Sequence, residues 1–203
     1  MNPQTDYRKA IVEYVRLNAK PPDKFSHQPR LYRVASQLAA GQQHDDDVLF
    51  AAAWLHDIGV FIGHRPEDPA ALAVWDCVSY ALAKAPVLLE AFGFPKAKIP
   101  AVVEVIRTHQ PSSAPTSFEG VLLRDADLLE QLGAIGIMRT ISKVGRDTRF
   151  VVFSDPIWAL KKNVDELPGK LNLDASRELA EPKIRILREF LDAAEAEAQE
   201  IPW

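Results

Sequence analysis

A single cysteine, Cys77, among 203 residues excludes an internal disulfide framework and the small stapled folds that need one. Blocks of like charge are also missing. The 24 basic and 28 acidic residues leave a formal charge of −4, which excludes the broad phosphate neutralisation by which nucleic-acid polymers are held. No apolar run approaches the length that spans a bilayer, and the opening MNPQTDYRKA carries no signal-peptide core. The expectation is a soluble cytoplasmic protein with neither a membrane nor a nucleic-acid polymer among its partners. Two-residue alternation is nearly absent as well: RFVVF at 149–153 is the one stretch suited to a strand, and it has nothing to pair with.

What remains is helical periodicity, from end to end, in a chain 47% apolar and long enough for one generous domain. The pattern predicts an all-α fold with helices at about 4–19, 27–40, 46–59, 69–84, 99–109, 117–132, 156–163 and 174–199. Pro69 and Pro100 suit first helical turns, Gly41 and Gly133 suit helix exits, and Thr116 with Glu119 reads as a capping box. Pro182 should kink or restart the last helix, and the tail AAEAEAQEIPW should fray. Cys77 falls on an apolar stripe with Ala70, Ala73, Val74, Val78 and Ala81 and reads as a core residue.

The stretch AAAWLHDIGV, residues 51–60, ends a small apolar run on a histidine and an aspartate. A second such pair, His44-Asp45 in GQQHDDDV, is a control: it follows Gly41 in a polar loop, precedes aspartates able to cap a helix, and reads as solvated linker. His56 differs because Leu49, Ala52, Ala53 and His56 share one helical stripe, so its imidazole lies on the inward face. Burying such groups without partners costs several kcal/mol (about 2–7 for a neutral polar group). His27 opens a helix with the stripe Leu31, Val34, Ala35, Leu38 and Ala39, and His109 ends the stripe Val102, Val103, Ile106. Asp125 and Asp127 sit inside the apolar segment VLLRDADLLEQLGAIGI. Taken singly these are ordinary core or surface residues; together they suit a divalent cation, which imidazole nitrogen and carboxylate oxygen bind well.

These residues resemble the HD-domain metal-dependent phosphohydrolases, a family in which a histidine, a His-Asp pair and a later aspartate come from different helices of an all-α domain. HQPRLYRVASQLA is similar to the family's first element, AAAWLHDIG to its second and RDADLLEQLGAIGIMR to its last; GKLNLDASRELAEPKIRILREFL is similar to the C-terminal helix of a small bacterial branch. The resemblance implies a single HD-type domain over 1–203, its metal-site core at about 20–135 and helices at about 155–200 packed on it. It implies His27, His56, Asp57 and Asp127 as ligands of one divalent transition metal (Mn, Fe, Co, Zn or Ni), with a second ion open. Helical phase favours Asp125 instead of Asp127, since Phe118, Val121, Leu122, Asp125, Leu129 and Leu132 share a face; Asp125 stays as the alternative ligand.

Arg30, His64 and His109 are the implied contacts to substrate or to a second metal, each with a structural alternative: an ion pair, a loop histidine and a helix C-cap. Asp57 would orient the water activated at the ion. The chain departs from well-studied relatives in carrying Val60 and Phe61 where they have an acidic residue, so either metal-bound hydroxide suffices or the base is His64, the unused aspartate of the DAD pair or an inward-facing Glu104. The implied reaction is hydrolysis of a small phosphate ester such as a nucleotide. Its rivals are a di-iron oxygenase or a small-molecule hydratase on the same fold, and a non-catalytic regulatory domain that keeps its metal for stability. A homodimer is left open.

Overall fold

The computed structural model describes residues 4–199, and among them the regular structure is helical throughout. Ten α-helices follow in order: Gln4–Asn18 (α1), His27–Leu38 (α2), Asp46–Leu55 (α3), Pro69–Ala73 (α4), Cys77–Ala91 (α5), Ile99–Thr108 (α6), Phe118–Glu130 (α7), Gly133–Ile141 (α8), Ser154–Glu166 (α9) and Asp174–Ala198 (α10). RFVVF forms no strand; Asp147 and Phe150 make an isolated bridge. The chain divides into two compact units, residues 1–124 and 125–203, with the boundary inside α7.

In the first unit α3 is the central element. Every residue from Asp47 to Leu55 is buried, because α1, α2 and α6 all pack on this one helix. A helix enclosed on all sides must be apolar all round, which explains the run VLFAAAWL. Leu49 and Leu55 are completely buried, as are Ile11, Leu31, Leu89 and Ile106 from the surrounding helices, each side chain contributing about 1.5–3 kcal/mol by leaving water.

The start of α3 is fixed by charge. Asp45 caps it by accepting from the N–H groups of Asp47 and Val48 at 3.1 and 3.3 Å. Lys98 donates to Asp45 and Asp47, both at 2.9 Å. Arg8 donates to Asp46 at 2.7 Å and Asp47 at 2.8 Å, and the Tyr7 hydroxyl to Asp47 at 2.6 Å. His44 lies in the loop before α3, as expected, but is half-buried, with its Nδ1 3.1 Å from Gln42 O.

Three expectations are corrected here. The helix expected over 69–84 is two helices, since Asp68 caps α4 through Ala71 N–H at 2.8 Å and Asp76 caps α5 through Val78 and Ser79 N–H, both at 3.0 Å. Val74 in the break is 84% exposed and Cys77 is half-buried, so the supposed stripe through them is not one face. The cap of α7 is Ser117, whose hydroxyl accepts from Gly120 N–H at 3.1 Å; Thr116 turns to Glu104 at 3.2 Å, and Glu119 accepts Asp45 N–H at 2.7 Å. α8 was not expected at all.

In the second unit α8, α9 and α10 pack against one another around Leu160, Leu187, Leu191 and Ala180. Gly133, with φ +67, opens α8 directly after α7 instead of ending a helix for good. α10 runs through Pro182 to Ala198 as one element, so neither a restart nor fraying before that point is seen. The rest of the tail, residues 200–203, lies outside the described residues.

Candidate metal centre

His27 is the first residue of α2 and is buried. It is delivered by a 3-10 turn, Pro22–Ser26, whose last bond runs from His27 N–H to Lys24 O. His56 is the residue at which α3 ends, its N–H donating to Ala52 O at 2.9 Å. The chain then leaves the helical path at Asp57 (φ −111, ψ 14) and enters a second 3-10 turn, Ile58–Val60. One ligand atom each from His27, His56 and Asp57 falls within 4.8 Å of the others, and the two imidazole centroids are 5.4 Å apart.

Ring orientation follows from main-chain bonds. His56 Nδ1 lies 3.0 Å from Ala53 O, and because a carbonyl can only accept, the proton sits on Nδ1 and the lone pair on Nε2. His109, at the end of α6 and equally buried, repeats the device with Ile106 O at 2.6 Å. Its ring stands edge-on to His56 at 5.0 Å, so the His56 ring neighbours both other imidazoles. Burial opposes the charge on half-buried Asp57, but the electrostatic attraction of His56, His27, His109 and the Lys24 ammonium outweighs it and holds this carboxyl well below the usual carboxylate range.

Asp57 is braced from the far side of its turn. Trp75, in the α4–α5 break, donates Nε1–H to Gly59 O at 2.9 Å. Gly59 lies so close to the start of α5 that a Cβ there would meet Cys77 O at 2.3 Å. Only glycine permits that approach.

The remaining residues singled out from the sequence are placed as follows. His64 donates Nδ1–H to Ile58 O at 2.8 Å, sits 3.5 Å from the Tyr14 hydroxyl and is ringed by Tyr14, Phe61 and Tyr80. Arg30 is half-buried on α2, one turn after His27. Glu104 engages Arg107 at 3.4 Å and Thr116 at 3.2 Å. Asp125, in the second unit, is fully buried and accepts the Asn172 and Leu173 main-chain N–H groups and the Asn172 amide at 2.8–3.1 Å. Its oxygens are thus committed to the segment that starts α10. Asp127, in the same unit, is half-buried, with the Gln131 amide at 3.2 Å. Lys24 escaped sequence reasoning, although its place three residues before His27 was a usable signal.

No protein-family model and no curated protein matches the chain. Solved structures do. A predicted HD superfamily hydrolase from an uncultured Thermotogales bacterium is 28% identical, with 93% of this chain and 91% of that one covered and a TM-score of 0.63. An HD-superfamily hydrolase from Bacillus thuringiensis is 22% identical, with 98% and 100% covered and a TM-score of 0.68. Bacillus subtilis YpgQ, in a complex with ADP, is 20% identical over 98% of each chain with a TM-score of 0.73. The fold is that of the HD superfamily, at family level a fold of metal-dependent hydrolases. The bacterial neighbours of this fold include two described as HD-superfamily hydrolases.

Proposed function

We propose that this protein is a metal-dependent phosphohydrolase acting on a small phosphate ester, with nucleotides the first substrate class to test. The observation that carries the reading is the convergence of His27, His56 and Asp57 to within 4.8 Å of one another. Two imidazoles and one carboxylate suit manganese, iron, cobalt, nickel or zinc better than magnesium, which prefers oxygen and water. Asp127 enters as a fourth donor from the sequence resemblance alone. A divalent ion bound there supplies Lewis acidity, lowering the pKa of water from 15.7 towards about 7 and drawing charge from a phosphoryl oxygen.

The chain's own groups divide the other tasks. Asp57, held ionised, accepts a hydrogen bond from the attacking water and fixes its direction. His109, its Nδ1 proton committed to Ile106 O, is the neighbouring imidazole whose Nε2 would meet the substrate. Arg30 places a permanent positive charge one turn from His27, where charge grows on the phosphoryl oxygens. The ADP held by YpgQ supports a nucleotide-sized phosphate ligand as the starting point.

Elemental analysis of the purified protein should find bound transition metal. A phosphate-release screen over nucleotides and sugar phosphates with manganese should then find turnover that His56→Ala abolishes. A protein that neither holds nor takes up such an ion overturns the reading. Two histidines with one carboxylate are also the donor set of iron oxygenases, so a second reading is oxidation of a small molecule by dioxygen. Oxygen consumption by the iron-loaded protein, without phosphate release, would select it.

A further inference from the structure

We propose that Lys24 is a substrate-binding residue which, together with Arg30, grips the phosphoryl oxyanion beside the metal ligands; this deepens the phosphohydrolase reading and rests on it. The geometry comes from two kinds of helix meeting at His27. In the turn Pro22–Ser26 the bond from His27 N–H to Lys24 O closes a 3-10 ring, and in such a turn side chains three apart eclipse one another. Lys24 and His27 therefore emerge on the same side. The chain then continues as α2, where His27 and Arg30, again three apart, are neighbours on one face. A stripe results in which a metal-ligand imidazole is bracketed by two cations.

The turn that carries Lys24 is held on several sides. Its N–H donates to Pro21 O at 2.9 Å. Gln28, buried beneath it, donates its amide to Lys24 O at 2.7 Å and Phe25 O at 3.2 Å. The Phe25 ring packs 5.7 Å from Trp54 of α3. Lys24 is half-buried, an exposure at which the apolar stem of a lysine can lie against the protein while the ammonium stays within reach of a ligand.

A lysine is a poor neighbour for a dication, since like charges repel and Lys24 would by itself weaken metal binding. An oxyanion lying between ammonium and metal reverses the sign of that interaction. Lys24 and Arg30 add two positive charges beside the ion, a field that draws in anions and stabilises charge developing on them.

The test uses the manganese-loaded full chain and inorganic phosphate as the probe, titrated by calorimetry. Lys24→Gln should bind phosphate about tenfold more weakly than the parent at unchanged manganese stoichiometry, the loss expected for one charge-assisted hydrogen bond. Lys24→Arg should recover most of that loss. Against any ester found to be a substrate, Lys24→Gln should raise KM more than it lowers kcat. Parent-like phosphate binding by Lys24→Gln overturns the assignment and leaves the hydrolase reading standing. Loss of manganese together with phosphate also overturns it, because Lys24 would then be a structural part of the turn. A manganese-loaded parent that binds no phosphate overturns both.

Discussion

Replacing Asp125 with alanine removes a fully buried carboxylate from three donors: the Asn172 N–H at 3.0–3.1 Å, the Asn172 side-chain amide at 2.8 Å and the Leu173 N–H at 2.9 Å. A hydrogen bond to a charged group contributes about 1.5–3 kcal/mol, so three sum to about 4.5–9 kcal/mol before any offset. The substitution also relieves the carboxylate's own desolvation, which recovers part of that sum. Breaking one side of a buried charged pair costs about 3–5 kcal/mol by direct comparison, and we expect a loss of about 3–4 kcal/mol here. In a chain of this size each kcal/mol lowers Tm by about 2–4 °C, giving a drop of about 10 °C. Asp125→Asn should fall between parent and alanine, because it keeps one acceptor oxygen and turns an NH2 towards a donor. Urea unfolding and thermal melts, both followed by circular dichroism, should show the loss to the same extent with and without chelator. A midpoint within a degree of the parent for Asp125→Ala would refute the account of this carboxylate as the clamp on the start of α10.

Burial works against the charge on Asp47, but the bonds from Tyr7, Arg8 and Lys98 prevail and hold its pKa below the ordinary value. A lowered folded-state pKa gives stability that is present above the unfolded value of about 3.9 and is lost as the pH falls through the folded one. Urea midpoints should therefore fall steeply below about pH 4 in the parent, and Asp47→Asn should flatten that acid limb while being less stable at neutral pH. Gly59→Ala must displace the Cys77 main chain, costing about 2 kcal/mol and lowering manganese content by elemental analysis; normal stability and metal content would contradict the close approach. Under the metal reading, manganese at 100 times its Kd should stabilise the parent by about 2.7 kcal/mol, and His56→Ala should melt at the same temperature with or without it.

The core helices were legible because their apolar residues recur at helical spacing and some carry local start signals. Asp45 before α3 and the proline at the start of α6 needed no tertiary information. The break between α4 and α5 was not legible, because Ala70, Ala73, Val74, Cys77 and Ala81 keep phase across it. What interrupts the helix is a long-range preference, Trp75 for Gly59 O, together with the Asp76 cap. The same limit hid the cap of α7: Glu119 is better used on Asp45 N–H than on its own turn. At the candidate centre, His27, His56 and Asp57 drew notice because ionisable groups stood on inward-facing stripes. Lys24 drew none, since a short 3-10 turn has no periodicity to read and its spacing from His27 was the one signal it offered. Phase within α7 correctly marked Asp125 as an inward residue, and only the coordinates reveal Asn172 and Leu173 as the groups waiting for it.

His56 and His109 hand their Nδ1 protons to carbonyls of their own helices, Ala53 and Ile106. In many metal proteins that outer acceptor is a side chain, and exchanging it tunes how strongly the imidazole donates. Here it belongs to the peptide backbone, which no codon change can delete. The basicity of these two rings is consequently insulated from point mutation. Under the metal reading, drift in this lineage has to act through the groups bordering the centre, so new tastes in ligand are easier to evolve than a new metal chemistry.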